Sequence, residues 1–540
     1  MAVDLESALQ DEEEEEEEEH ALDEDAPAHH PVAPPDESFE LSTTVDPSYI
    51  ISLIRKLLPP YQTYNSCSSG VEGNNSQKSN LDLIEEKLAP PDSTRVQGSA
   101  KEPSEIMDII DDNKESACEE GKVDGESGCR NELPTASVVE EVWEGNGCIL
   151  WDLAASQTHA ELMVENLVLD VLLANPTVPQ SARVREICLG IIGNLACHEV
   201  LMRHIVSTKG LVDAIVDQLF LDDTQCLCEA CRFLTLAIQG NESNIWAEAL
   251  LSDHVIRRLL WIAENTLNPL LIEKCVGLLL TISESQLVAP ILLPPLVDIG
   301  LPNILFELLA YEMSQLTSEK SPERYPVLDV ILRAIEALSV MDDHSHKISS
   351  NKELIGLVCD LVKLPDKMEI ADSCVTAAVL MANIMSDVTN LATEMSQDLP
   401  FLQGLLGILP FAANDIEARN ALWSIIVQLL VHIKESETGF SSLYQYVSVL
   451  ASKCDMIEED LLDHQTDSFI KHGSTDGCET KSNVIMALER MASLLHQWKT
   501  LKDNADENSL SGKHHVDGSL VDKLLHCCER YIGMLILPGN

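Results

Sequence analysis

SARVREICLGIIGNLACHE, residues 181–199, gathers two cysteines, a histidine, two glycines, two arginines and two glutamates, the residue types of a catalytic site. The spacing says otherwise. Val184, Ile187, Cys188, Ile191, Ile192 and Leu195 fall at i, i+3, i+4, i+7, i+8 and i+11, one continuous apolar helix face. Cys188 therefore belongs to a core. Gly190 and Gly193 each cost about 1 kcal/mol against Ala inside a helix, so they read as notches where a neighbouring helix backbone comes close. They do not make a phosphate loop, because they lie within the apolar period rather than between a strand and a helix N-terminus. Cys197 and His198, adjacent on a helix, point about 100° apart and have no third orienting group, which argues against a thiol–imidazole nucleophile.

The stretch has echoes. Glu186-Ile-Cys188 returns as Glu229-Ala-Cys231, 43 residues on, and as Glu273-Lys-Cys275 after another 44. Asp329-Val-Ile331, Asp372-Ser-Cys374 and Glu417-Ala-Arg419 follow more loosely, after 56, 43 and 45 residues. The long interval holds MSQLTSEKSPERYP, residues 313–326, which reads as an inserted loop. A period of about 40–47 residues with only helices between turns is the signature of armadillo or HEAT units, none of which buries its own apolar face alone. The low aromatic content, 4%, beside abundant Leu, Ile, Val and Ala, also suits helices. The expected fold class is all-α, an armadillo/HEAT-type α-solenoid with a disordered acidic N-terminal region.

The composition divides the chain. Residues 1–45 read as a disordered acidic tail, with an unbroken acidic run from Asp11 to Glu19. Residues 46–60 read as a short amphipathic helix, with Asp46 as N-cap, Pro47 at its first position, and Ile50, Leu53, Ile54, Leu57 and Leu58 as its stripe. So short a helix is marginal alone and must dock on the rest of the chain or on a partner. Residues 61–137 read as a disordered linker with two apolar islands, 81–88 and 106–110. Residues 138–540 form the repeat domain. Its C-terminal cap is irregular, with helices expected over Ser442–His464, Ser482–Lys499 and Leu520–Leu537.

Charge narrows the function. The formal net charge of −55, from 90 acidic and 35 basic side chains, repels phosphate backbones and anionic lipid, so neither direct nucleic-acid nor membrane binding is expected. Basic protein segments fit better. The start, MAVDLESALQDEEEE, has no leader pattern, no stretch reaches about 18 uncharged apolar residues, and sixteen cysteines, many of them in apolar runs, suit a reducing compartment. Cys226, Cys228 and Cys231 are the best metal candidates, but a fourth ligand at usable spacing is missing, and Cys231 repeats the core position of Cys188. His344 and His346 read as solvated residues of a helix-connecting turn. No cofactor, metal or catalytic residue is assigned.

Trp151-Asp152 and the run Arg185-Glu186-Ile-Cys188-Leu-Gly190-Ile-Ile-Gly193-Asn194-Leu-Ala-Cys197, with Ser42-Thr43-Thr44-Val45 upstream, resemble the serum amyloid A-like protein family over about residues 45–240. The resemblance implies armadillo-like repeats, a nuclear or nucleocytoplasmic interaction protein linked with cell proliferation, and no enzymatic activity. It supplies no catalytic residues. The expectation is a non-enzymatic protein-interaction scaffold, not an enzyme, with Arg185, Glu186 and Asn194 on the exposed side, together with Trp151 and Asp152, as candidate protein-binding residues. The alternative is a regulatory subunit of an enzyme complex. An import-receptor-like adaptor for basic peptides needs a repeated Trp and Asn ladder, whereas the positions equivalent to Asn194 are Ala237 and Thr281.

Overall fold

Polar caps start the long helices. Ser181, Asp223, Asn268 and Asp415 each accept a hydrogen bond from a backbone N–H three residues on, at the heads of Ala182–Ala196, Thr224–Gln239, Pro269–Glu284 and Ile416–Val431. In the computed structural model the described residues are 45–58, 136–174, 181–318, 321–433, 440–468, 476–503 and 516–536. Among them there is no strand, and those from Ser48 onward belong to one compact unit. The acidic run and tail to residue 44, and the linker up to residue 135 with its two islands, lie outside the described residues.

The helices come in triads: a short first, a second, and a long third. Examples are Glu199–Ser207, Leu211–Asp217 and Thr224–Gln239, then Ser243–Leu250, Asp253–Asn265 and Pro269–Glu284. Each third helix packs on the next. Starting from Ala136–Leu153, this ladder runs through Ala182–Ala196, Thr224–Gln239, Pro269–Glu284, Tyr325–Ser339, Ala371–Asp387 and Ile416–Val431 to Asp476–Asp503, and the terminal Gly518–Ile536 closes it. This is the all-α solenoid that the repeat period predicts. The sequence offsets are physical rungs: Asn194 Nδ2 donates to Trp151 O at 2.9 Å, Cys226 Sγ to Ala182 O at 3.2 Å, and Asn383 Nδ2 to Ser339 Oγ at 3.0 Å.

Two columns follow from the helix period. The residue two places after each repeated acid is buried throughout: Cys188, Cys231, Cys275, Ile331, Cys374 and Arg419. Two residues span about 200° of helix turn, so the acids themselves face outward. Glu186, Glu229, Glu273 and Asp329 are half-buried, and Asp372 and Glu417 are exposed. In the sixth unit the core thiol is replaced by Arg419. Its Nε donates to Asp460 Oδ1 at 2.9 Å, and Trp423 Nε1 donates to Asp460 Oδ2 at 2.9 Å, all out of solvent.

The early helix spans Pro47–Lys56 and docks on this chain. Ile50, Leu53, Ile54 and Leu57 are buried, and Trp143 Nε1 donates to Leu57 O at 3.0 Å, satisfying a carbonyl past the helix end. Leu58 does not join the stripe; it is exposed. Three other expectations need correction. The described residues of 313–326, all but 319 and 320, are no open loop: Leu301–Ser318 is helical, and a short 3-10 turn at Pro322–Arg324 leads into the next helix. Glu312, on the inner side of that helix, is 1% exposed and pairs with Arg324 through both carboxylate oxygens, folding the segment back. Residues 442–464 are two helices, Phe440–Ser452 and Cys454–Ser468. His344 and His346 sit on a helix of their own, Asp342–Ser349, the first of its triad.

The segment Met368–Asp387 is long and apolar enough to cross a membrane by composition. Its helical part is a ladder member packed between Tyr325–Ser339 and Ile416–Val431, so the apolar length is used within the solenoid.

Candidate functional site

The residues first suspected of chemistry are held away from it. Burial pushes the Cys188 and Cys228 thiols up to about 12, and burial with an Asp223 hydrogen bond does the same for Cys226. Cys231 is raised as well, by its hydrogen bond to Cys275 and then by burial. Such thiols are poor nucleophiles at neutral pH. Cys197 is exposed at the C-terminal cap of Ala182–Ala196, and His198 starts the next helix with its ring donating to Ala154 O at 3.0 Å. The two lie in a turn rather than along one helix, and they do not pair with each other.

The structure draws Trp151 and Asn194 together, but for packing. Asn194 uses both ends of its amide: Nδ2 donates to Trp151 O, and Oδ1 accepts from Arg232 Nη1 at 3.3 Å. Asn194 and His198 thereby satisfy carbonyls at the C-terminal end of Ala136–Leu153. The two glycines are seats for side chains, not for a helix backbone. A Cβ on Gly190 would fall 2.1 Å from the Trp151 ring, and one on Gly193 would fall 2.5 Å from the Arg232 guanidinium. Arg232 also reaches Gly190 O at 3.3 Å and Glu229 at 2.7 Å. Glu186 pairs with Arg183 at 2.7 Å. Arg185 and Glu186 are half-buried rather than exposed, and Arg185 flanks a small void beside Leu172 and Cys188. Asp152 is exposed.

A larger opening lies further along the ladder. Thr224–Gln239, Pro269–Glu284 and Tyr325–Ser339 enclose a cleft of about 350 Å³, lined by Arg232, Thr235, Leu236, Glu273, Lys274, Gly277, Pro326, Asp329, Val330 and Arg333. Two of its cations are held. Arg232 is engaged by Glu229 and Asn194, and Lys274 pairs with Glu273 at 2.8 Å. Arg333 lies 3.7 Å from Glu284, and both are about half exposed. Asp329 is different: its Oδ1 is sealed from solvent with no hydrogen-bond donor. Burial holds this carboxyl above its ordinary range; Arg333 opposes the rise and Asp372 adds to it. Glu336, two turns on, is raised by burial and by Glu284, with Glu417 adding to the rise, against Arg333 and an Asn383 hydrogen bond. Carboxylates from successive ladder helices therefore act on one another across this face.

The repeat column in the sequence joins Glu273 and Asp329 but does not reveal that they border a cleft. The column was the available signal, since residues in register on stacked helices must share a face.

A raised carboxyl has a thermodynamic consequence. With its folded pKa above the unfolded value, Asp329 contributes stability below the unfolded carboxylate range and loses it as pH rises through the folded pKa. Asp329→Asn is expected to melt higher than wild type near pH 7. That gain should vanish near about pH 3, where both forms are protonated. Thermal denaturation at the two pH values checks this, and an unchanged melting temperature at pH 7 refutes it.

No family model matches the chain. Protein SAAL1 of Homo sapiens is 23% identical over 300 residues, covering 50% of this chain and 62% of that protein. Protein saal1 of Danio rerio is 26% identical over 294 residues, covering 51% and 61%. A shorter match, 28% over 127 residues, is to Protein SAAL1 of Mus musculus. The chain spans less than two thirds of the length of each of these relatives. Among solved structures, an engineered protein is similar with a TM-score of 0.44 at 16% identity, over 73% of this chain and 85% of that one. A designed armadillo repeat protein in complex with the peptide (KR)4 has a TM-score of 0.36 at 15% identity, over 47% of this chain and 95% of that one.

Proposed function

We propose that the chain is a non-enzymatic scaffold that binds an extended, basic protein segment along the face formed by its third helices. One observation carries this reading. Six acids, Glu186, Glu229, Glu273, Asp329, Asp372 and Glu417, repeat in one column of the stacked helices, none of them fully buried, with a cleft among them. A stack of similar units offers many modest contacts in line, and these add up along an extended partner. The raised, buried thiols and the absence of a convergent acid, base and nucleophile among the described candidates support a binding role over catalysis. The nuclear setting and the link with proliferation implied by the resemblance belong to the same proposal.

The acidic run at Asp11–Glu19 offers a rival site for a basic partner, so the test must separate them. A fluorescent peptide of alternating lysine and alanine is titrated into the full chain and into a chain lacking residues 1–44, which keeps the docked Pro47–Lys56 helix. Binding read by anisotropy should survive the deletion and weaken by about tenfold or more between about 50 and about 500 mM salt, as the Debye length contracts. Loss of binding on deletion, or indifference to salt, overturns the proposal.

A further inference from the structure

We propose that the cleft beside Asp329 seats a single lysine or arginine side chain of the bound segment, and so sets that segment's register on the ladder. This rests on the groove-binding reading above. Gly277 supplies the first argument. It lies inside the Pro269–Glu284 helix, where glycine costs helix stability, yet a Cβ there would meet nothing closer than Val330 Cγ2 at 4.0 Å. Gly190 and Gly193 are required by what packs on them. Gly277 is not, and its effect is to keep the cleft open.

The lining supplies the second. Leu236, Pro326 and Val330 give apolar wall for the methylene stem of a long cationic side chain, whose head then reaches carboxylate. Arg232 and Lys274 are already engaged by Glu229 and Glu273; Arg333, also in the lining, acts on Asp329 only at a distance and pairs with Glu284, so Asp329 is the lining carboxylate with no ion pair of its own. One of its oxygens is sealed without a donor, which makes the carboxylate under-solvated. An ammonium or guanidinium arriving on its open side supplies the missing countercharge. Beyond the cleft, Glu284, Glu336, Asp372 and Glu417 continue the negative face over four ladder helices, opposed by Arg333 from the cleft wall. A basic segment following the ladder thus finds a row of carboxylates with one open recess.

The experiment uses the full chain and the same lysine–alanine peptide. Carbodiimide couples lysine amines to the carboxylates they touch, and mass spectrometry locates the links. Asp329→Asn, nearly isosteric, and Gly277→Leu, which fills the cleft, are each expected to weaken binding by about tenfold. Asp222→Asn removes the same charge from a side chain that is 91% exposed and outside the cleft lining, and should leave binding unchanged. Links should appear at Asp329 or Glu273. If both cleft variants bind like wild type and the links fall on other ladder carboxylates, the seat is wrong while groove binding stands. Links confined to Glu12–Glu19, or no binding, overturn both.

Discussion

Asp460→Ala should destabilise the C-terminal half of the solenoid by about 3–5 kcal/mol, the cost of leaving a buried charge without its partner. The Arg419 and Asp460 side chains are 1% and 2% exposed. Both Asp460 carboxylate oxygens are used, one by Arg419 Nε and one by Trp423 Nε1, each at 2.9 Å, and Arg419 also donates to Asp460 O. Alanine removes all the side-chain acceptors and strands a guanidinium in the core between Ile416–Val431 and Cys454–Ser468. Water does not reach it there. The pair need not be a net gain over an apolar core, because desolvating two ions offsets much of their attraction. Hence the double variant Arg419→Cys with Asp460→Leu, which restores the thiol found at this column in four other units, should recover part of the loss, the rest being the buried Trp423 N–H left without its acceptor. Because each unit leans only on its neighbours, hydrogen exchange should show the opening around residues 416–468 first. A loss below about 1 kcal/mol for Asp460→Ala would show that the charge is solvated and the core there is wet.

How far the sequence carried depended on the range of the interaction. The 43- and 44-residue offsets were legible because stacked units bring residues that far apart in the chain side by side, as in Asn194 to Trp151, Cys226 to Ala182 and Asn383 to Ser339. The apolar face of residues 184–195 was legible because periodicity is local. Arg419 looked like a loose echo of a cysteine. Its counterion is 41 residues away, in a helix whose own period gives no sign of an inward Asp. The segment 313–326 looked like a loop because it is polar, but Glu312 buries its carboxylate against Arg324 and the chain stays helical to Ser318. The break at Lys453 has no Gly or Pro to announce it, so packing sets it. Of the candidate contact residues, Trp151 and Asn194 proved to be joined within the structure. The cleft went unseen because it needs three helices at once.

Gly190→Ala is expected to destabilise the chain by about 1–3 kcal/mol, against the gain of about 1 kcal/mol that helix propensity alone predicts for Gly to Ala. The new methyl would lie 2.1 Å from Trp151 Cε2 and Cζ2, far inside van der Waals contact. The indole cannot simply slide, because Asn194 holds the Trp151 carbonyl while the surrounding helix packs on Ala182–Ala196. It must swing toward solvent and forfeit its contact with the Gly190 seat. Gly145→Ala is the matched control: it lies in the neighbouring ladder helix, nothing stands within 4 Å of its Cβ, and propensity should win there with a gain of up to about 1 kcal/mol. Combining Gly190→Ala with Trp151→Ala should remove the clash, so the two losses fall short of additivity by more than about 0.5 kcal/mol. Urea denaturation of the four variants measures each term. Equal stabilities for Gly190→Ala and Gly145→Ala would mean that Gly190 is not a seat for the indole and that its place in the helix rests on something other than packing.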